Sequence, residues 1–247
     1  MQGFLYFAVV VAMPSTKRIV AAAMVTTAFT VLARLVRGVS RSGGIAGALC
    51  CFVLYVSAGA GGFAALVTVF ALAWITTRLG YRRKQALGIA ERKDGRSAKQ
   101  VFANLGIAAL CALLFQLKNG NPGFLVAMVA ALSEAAADTV SSELGQAFGA
   151  RPRLITSWVP VPAGTNGGVT PLGTIAGILA GCIVGAASSA FGVLPWGVVL
   201  TTAAAATAGM VADSYLGATF EQRRWLNNDS VNFLSTAVAA AIALLIS

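Results

Sequence analysis

Residues 123–145 read GFLVAMVAALSEAAADTVSSELG, and their only charged side chains are Glu134, Asp138 and Glu143. An α-helix needs about 20 predominantly apolar residues to cross the hydrocarbon core of a bilayer. The stretch meets that requirement and therefore predicts a transmembrane helix. Its carboxylates are unusual for such a helix, because ionisable groups at membrane depth are costly and are functional candidates by default.

The same apolar pattern recurs along the chain, in nine runs at 2–13, 19–33, 43–59, 61–79, 101–117, 123–145, 171–191, 197–218 and 231–246. The first run is too short for a full crossing. Runs 43–59 and 61–79 meet at a turn of small residues, 57–62. We expect an all-α, polytopic helical membrane bundle with seven to nine apolar segments, and eight full spans after the short first run fit best. Residues 1–247 then form a single integral-membrane domain.

The composition supports this fold class and excludes others. Apolar residues make up 57% of the chain and charged residues 11%, whereas a soluble domain has roughly 45–50% and about 25%. An ordinary soluble enzyme, a disordered chain and a fibrous repeat are therefore excluded. The four cysteines lie inside apolar runs without CxxC spacing, which argues against disulfides, zinc and thiol catalysis.

Positive charge is concentrated in alternate loops. If the spans alternate in direction, fifteen of the 18 basic residues lie on one side: Arg34, Arg37, Arg41, Arg78, Arg82, Arg83, Lys84, Arg92, Lys93, Arg96, Lys99, Arg151, Arg153, Arg223 and Arg224. The positive-inside rule predicts that this side faces the cytoplasm. The C-terminus then faces outward, and in a prokaryote the protein lies in the inner membrane. The net charge of +10 reflects these loops, so we expect no nucleic-acid partner.

Glu134, Asp138 and Asp213 lie within or at the end of apolar helices. A carboxylate in a bilayer is costly unless it is paired or metal-bound. Glu134 and Asp138 are four residues apart and so share one helix face. For Glu134, pairing with a neighbouring arginine and a functional role are equally compatible with the pattern, whereas a functional role is favoured for Asp138 and Asp213.

Two further segments have the features of phosphate-binding elements. Thr165, Asn166, Gly167 and Gly168 precede Thr170-Pro171, which suit the N-cap and first position of a helix. Backbone N–H groups of such a loop and helix start attract anions, although an ordinary tight turn has the same sequence features. Arg96, Gln100 and Asn104 fall on one helix face, where they bind phosphates or a base, or else anchor the helix to anionic lipid.

Near the C-terminus, Asp229 and Asn232 offer oxygen ligands of the kind that magnesium prefers. The alternative is that Asp229 or Ser230 caps the last helix.

Four motifs occur in a fixed order: the Gly95–Asn104 stretch, ADTVSSELG at 137–145, TNGGVTPLGT at 165–174 and the Asp213–Asn232 stretch. Together they resemble the membrane family called domain of unknown function 92, which includes transmembrane protein 19 and a plant phytyl-phosphate kinase. The resemblance covers about residues 20–246. It implies CTP-dependent transfer of phosphate to an isoprenyl (phytyl-like) monophosphate, which gives the diphosphate.

The resemblance, combined with the residues, predicts a set of roles. Asp138 and Asp213 are the candidate catalytic residues and hold Mg²⁺, with Glu143 or Asp229 assisting. Phosphates lie against Thr165, Asn166, Gly167 and Gly168, while Arg96, Gln100 and Asn104 contact the nucleotide or the acceptor phosphate. The isoprenyl tail lies between helices along small-residue faces, in contact with membrane lipids.

Two other functions remain compatible with the sequence. A transporter or lipid flippase also carries carboxylates inside the membrane, and a lipid nucleotidyltransferase would use the same nucleotide and release pyrophosphate. The sequence does not specify the oligomeric state.

Overall fold

The computed structural model describes residues 15–91 and 94–247. The described helices are α1 Thr16–Leu35, α2 Arg41–Arg78, α3 Tyr81–Ala86, α4 Ala98–Leu117, α5 Gly123–Phe148, α6 Pro171–Ala190, α7 Val199–Leu216 and α8 Asn228–Ile246. A 3₁₀ turn, Trp196–Val198, precedes α7, and a π-helical turn, Gly217–Glu221, extends it. Two short strands, β1 Arg153–Leu154 and β2 Gly168–Val169, form an antiparallel pair that the sequence did not predict.

Helix α5 is the centre of the bundle. Every residue from Leu125 to Ala137 is buried, and α5 packs against α2, α4, α6, α7 and α8. Its alanine-rich sequence and the glycines of α6 let the backbones approach closely, as small residues do in membrane bundles. A Cβ added at Gly177 would lie 2.7 Å from the carbonyl oxygen of Ala137. The carboxylates of α5 are therefore held in a tightly packed helix.

Helix α2 is a hairpin rather than one long rod. Gly59 interrupts it with φ 66° and ψ −155°, a backbone conformation that glycine adopts easily. The rings of Tyr55 and Phe63 lie 6.2 Å apart, although eight residues on a straight helix would span about 12 Å. Both ends of α2 also return to the same neighbours, since Gly44 lies against Arg34 and Trp74 Nε1 donates to the carbonyl oxygen of Val36.

The predicted membrane fold is confirmed. Within the described residues, seven helical segments are long and apolar enough to cross a membrane. One of them is the α2 hairpin, whose halves 41–58 and 60–78 each extend roughly 27 Å. With the two halves of α2 counted separately, the described residues supply eight candidate crossings, as the apolar runs predicted, with the turn inside 57–62. The first run, 2–13, lies outside the described residues.

Four connecting segments meet at one end of the bundle, which we call the loop end: 36–40, 79–91 together with 94–97, 149–170 and 222–227. Arg96 N donates to the carbonyl oxygen of Gly38 over 3.1 Å. A Cβ on Gly164 would lie 2.6 Å from Ile89, and Gln222 Nε2 donates to the carbonyl oxygen of Asn166 over 2.8 Å. These contacts bring together the loops that carry the predicted group of basic residues. That the loop end faces the cytoplasm stays a prediction.

The two predicted helix starts had different outcomes. Thr170 is the N-cap of α6, with Pro171 at the first position, and its hydroxyl accepts from Gly173 N. The capping prediction for Asp229 or Ser230 was wrong, because the N-cap of α8 is Asn227, whose side chain accepts from Ser230 N. Helix α8 begins earlier because an asparagine side chain caps as well as an aspartate.

Candidate active site

A polar cavity of about 190 Å³ lies at the loop end, between α4, α5, α7, the start of α8 and the 149–170 segment. Nearly all of the predicted site residues line it: Arg96, Gln100, Asn104, Asp138, Glu143, Thr165, Asn166, Gly167, Gly168 and Asp213. Asn232 also lines it, whereas Asp229 is not among the lining residues and lies in the first turn of α8. The cavity thus brings together residues that are more than 100 positions apart in sequence.

Asp138 of α5 and Asp213 of α7 both line this cavity, and their carboxyl groups are close enough to interact electrostatically. Asp138 also interacts with Arg96 and with Ser142, one turn further along α5. The buried Oδ2 atom of Asp213 has no hydrogen-bond partner among the described residues. An unsatisfied carboxylate oxygen beside a second carboxylate is costly, so this pair is prepared for a positively charged ligand.

Glu134 lies one helical turn deeper than Asp138 and is 1% exposed. It interacts electrostatically with both aspartates, and its Oε1 atom has no hydrogen-bond partner among the described residues. The Glu134 side chain fits against α7 because residue 209 is glycine: an added Cβ would lie 2.6 Å from Glu134 Cγ. Glu134 therefore adds a buried third carboxyl group beneath Asp138 and Asp213.

The cavity is rich in carboxylates and poor in cations. Five acidic residues line it, namely Glu91, Asp138, Glu143, Asp213 and Glu221, and Arg96 is the one basic residue in its described lining. Lys84 forms an ion pair with Glu143. A divalent cation bound beside Asp138 and Asp213 would favour the ionised form of both carboxyl groups.

The donor set fits magnesium bound together with a substrate. Within residues 15–91 and 94–247, no group of three or more acidic or cysteine side chains is arranged to hold a metal by itself. Magnesium commonly uses one or two carboxylates and takes its remaining ligands from water and substrate phosphates. Asp138 and Asp213 could supply the protein's share of such a site, with the amide of Asn232 nearby on the cavity wall.

The glycine loop at residues 164–168 is pressed onto the helix that carries Asp213. Gly167 has φ 78°, and an added Cβ would lie 2.4 Å from Ala218 Cβ and 2.6 Å from Ala218 N. Only glycine fits this position without displacing the backbone. The carbonyl oxygen of Asn166 is held by Gln222, as described above. The loop and the two aspartates thus line the same cavity, and the loop is packed against the helix that carries Asp213.

The three residues of the predicted Arg96-Gln100-Asn104 face make different contacts. Arg96 Nη2 donates to Thr139 Oγ1 over 3.3 Å, beside the aspartates. Gln100 closes a capping box with Ser97 and donates to the carboxylate of Glu91. Asn104 Nδ2 donates to the carbonyl oxygen of Gln100. Ser97-x-x-Gln100 is a recognisable capping-box sequence, and this signal could have predicted the structural task of Gln100.

Sequence reasoning missed the partner of Glu143. Lys84 belongs to the short helix α3 and is fully buried, where its ammonium group contacts the Glu143 carboxylate and donates to the carbonyl oxygens of Thr76 and Thr77. In the sequence it is one of several adjacent loop cations, with nothing to distinguish it. The ion pair occupies one oxygen of Glu143, and therefore weakens the prediction that Glu143 assists a metal.

A second cavity, of about 340 Å³ and mostly apolar lining, adjoins the first. It lies between α1, the two halves of α2 and α4. Glu91, Arg96 and Asn104 line both cavities. A polar compartment and an apolar compartment thus meet at these three residues.

Eight crossings around a carboxylate-rich cavity at one end define a polytopic membrane protein with a buried polar site. Its sequence matches the family described as Integral membrane protein DUF92 over residues 24–240. The chain belongs to this family, as the four motifs predicted.

Relatives of the chain occur in archaea, cyanobacteria and plants. Uncharacterized membrane protein MJ0933 of Methanocaldococcus jannaschii is 36% identical over 213 residues, which cover 85% of this chain and 86% of that protein. Uncharacterized membrane protein sll0875 of Synechocystis is 34% identical over 78% of this chain and 76% of its own. The chloroplastic protein VTE6 of Arabidopsis thaliana is 29% identical over 85% of this chain and 66% of its own. No solved structure matches the chain.

Proposed function

We propose that the protein transfers the terminal phosphoryl group of CTP to an isoprenyl monophosphate of phytyl-like type and produces the diphosphate. The observation that carries the proposal is the Asp138–Asp213 pair facing the glycine loop across one cavity. Phosphoryl transfer depends mainly on positioning and on neutralising charge, and this cavity offers groups for both. The family resemblance supplies the donor and the acceptor.

The proposed reaction makes one bond and breaks one. An oxygen of the acceptor monophosphate attacks the γ-phosphorus of CTP, the bond from that phosphorus to the β–γ bridging oxygen breaks, and CDP leaves with the electron pair. The second pKa of a phosphate monoester is about 6, so the attacking oxygen is largely ionised near neutral pH. The step therefore needs no strong general base, and the aspartates are free to act as ligands.

The residues of the chain have distinct tasks in this proposal. Asp138 and Asp213 would hold Mg²⁺, which when bound neutralises charge on the transferring phosphates. Backbone groups of Thr165, Asn166, Gly167 and Gly168 would hold the nucleotide phosphates against α7. Arg96 would hold the acceptor phosphate beside the aspartate pair, since a guanidinium binds two phosphate oxygens at once.

The test uses purified protein in lipid nanodiscs with Mg²⁺, phytyl monophosphate and CTP labelled at either the γ- or the α-phosphate. We expect γ-label in the lipid product, and loss of transfer by about 100-fold or more in Asp138→Asn and Asp213→Asn. Asp94→Asn is the matched control, because Asp94 is exposed and outside the lining of the cavity.

Binding separates the alternatives. CTP should raise the thermal midpoint of the protein, since a ligand of the native state stabilises it, and EDTA or Asp213→Asn should abolish that increase. Transfer of α-label with release of pyrophosphate would replace the kinase by a nucleotidyltransferase. If neither label is transferred and CTP gives no stabilisation, the kinase proposal is wrong and the transporter or flippase becomes the better hypothesis.

A further inference from the structure

We propose that the apolar cavity next to the polar site binds the hydrocarbon chain of the isoprenyl monophosphate, with its phosphate held at Arg96. This inference rests on the proposed function, because it assigns the acceptor of that reaction to a place in the fold. The cavity has a volume of about 340 Å³ and lies between α1, α2 and α4. It is separate from the cavity that contains the aspartate pair, except at the residues that line both.

The position of Arg96 connects the two compartments. Its backbone is fixed to the chain before α2, because Arg96 N donates to the carbonyl oxygen of Gly38 and Ser40 N donates to the carbonyl oxygen of Arg96. Its guanidinium reaches Thr139 and interacts with Asp138. A fixed cation thus lies where an apolar space meets a polar one. The ligand with matching chemistry is an amphiphile whose anionic head is attached directly to a hydrocarbon chain.

The walls of the apolar cavity are suited to a hydrocarbon chain. Phe29 packs edge-on against Phe70, with ring centroids 5.2 Å apart, and both rings line the space. Gly47 lines the same cavity and leaves room in it: among the described residues, a Cβ added there would meet only Val101 Cγ1, at 3.9 Å. Gly43, one turn earlier on the same face, lies against the carbonyl oxygen of Arg96. The space therefore continues from Arg96 into the apolar interior along one face of α2.

The volume limits which part of the chain is recognised. A cavity of about 150 Å³ accepts benzene, so a cavity of about 340 Å³ holds roughly a dozen carbon atoms, or two to three isoprene units. The units nearest the phosphate would occupy the cavity. The remainder of a phytyl chain would extend between helices toward the bilayer. We therefore expect the protein to discriminate between substrates by the first isoprene units of the hydrocarbon chain and to tolerate variation at its far end.

Gly47→Leu tests the assignment, because leucine fills the cavity from an open position. We measure kcat/KM for monophosphates of isopentenol, geraniol, geranylgeraniol and phytol. The ratio of the phytyl to the isopentenyl value should fall about tenfold or more, and Gly47→Ala should give a smaller change in the same direction. Ala48→Leu adds similar bulk one residue further along, outside the lining of the cavity, and should leave the ratio unchanged.

A second readout does not require phosphoryl transfer. Phytyl monophosphate with a diazirine on its first isoprene units is photolysed on the wild-type protein, and the adducts are mapped by mass spectrometry. Adducts on residues such as Gly47, Leu66 and Phe70 support the assignment, even if no labelled CTP is consumed and the proposed function fails. Adducts elsewhere with an unchanged chain-length ratio would overturn the assignment while leaving the kinase intact. Equal labelling of the cavity by diazirine phosphatidylglycerol would assign it to bulk lipid and also overturn it.

Discussion

Lys84 and Glu143 form an ion pair that joins the short helix α3 to the central helix α5. The Lys84 side chain is 1% exposed, and its ammonium also donates to the carbonyl oxygens of Thr76 and Thr77, in the last turn of α2. Helix ends leave such carbonyl groups without intrahelical partners. One buried ammonium group therefore binds carbonyl oxygens at the end of α2 and also a carboxylate of α5, the helix that carries Asp138.

We predict that Lys84→Met destabilises the protein by about 3–5 kcal/mol, because removal of one partner leaves a buried carboxylate without its cation. Glu143→Gln should be destabilising for the same reason. The double variant Lys84→Met, Glu143→Gln should be less destabilised than the sum of the two single losses, since neither charge remains. Thermal midpoints of the four proteins in the same detergent measure this. Strictly additive losses would mean that the two side chains do not interact.

Gly167 and Gly88 allow the effect of loop packing to be separated from backbone strain. Both residues have positive φ, 78° and 72°, but a Cβ on Gly167 would collide with Ala218, whereas no described residue lies within 4 Å of one on Gly88. Alanine should cost roughly 1–2 kcal/mol at either position through its left-handed backbone. We predict that only Gly167→Ala also loses phosphoryl transfer, because its loop must move off α7.

The measurement is the thermal midpoint and the kcat/KM for CTP of each variant. Equal losses of activity in Gly167→Ala and Gly88→Ala would show that the contact with Ala218 has no part in the function. A loss of activity confined to Gly167→Ala, at a temperature where both variants are folded, would identify the position of the loop as the cause.

The sidedness of the loop end is tested by fusion proteins. The distribution of basic residues predicts that the loop end is cytoplasmic and the C-terminus external. Alkaline phosphatase fused after Ser247 should therefore be active in a bacterial host, and a fluorescent protein fused there should be dark. Fusions to a chain truncated after Leu226, in the last loop of the loop end, should give the opposite pair of results. Reversed outcomes at both positions would mean an inverted orientation, with the site facing outward.

Much of the fold was predictable because membrane crossings depend on the length of apolar runs. Alternation of the crossings then requires Asp138, Asp213 and the glycine loop to lie at one end, which is why most of the predicted site residues line one cavity. The position of Arg96 in the lining of the polar cavity also agrees with its place at the end of a basic loop. These predictions needed only the order and direction of the helices.

The remaining features depend on contacts that no local pattern encodes. Lys84 resembles its exposed neighbours in the sequence, and only the approach of α3 to α5 gives it Glu143 as a partner. The apolar cavity arises from the way in which α1, α2 and α4 pack. Asp229 has the residue type of a metal ligand, but α8 begins at Asn228 and Asp229 is not in the lining of the cavity. The residue types and their positions near loops predicted the candidate site residues. The rotation of each helix about its axis then determines which of these residues face the cavity.

Gly209 determines how closely α7 approaches α5, and so how closely Asp213 approaches Asp138. A Cβ at this position would lie 2.6 Å from Glu134 Cγ and 2.8 Å from the carbonyl oxygen of Ser235. An added methyl group therefore fits only if α7 moves away from its neighbours. Gly209→Ala should displace Asp213, one turn away, and reduce kcat, since a misplacement of about 1 Å can cost ~100-fold in rate. Gly197→Ala is the control, because no residue in the part of the chain that the structure describes lies within 4 Å of its added Cβ. Wild-type kcat in Gly209→Ala would mean that the spacing of the two aspartates does not limit the reaction, whereas a loss in Gly209→Ala alone would support their acting as a pair.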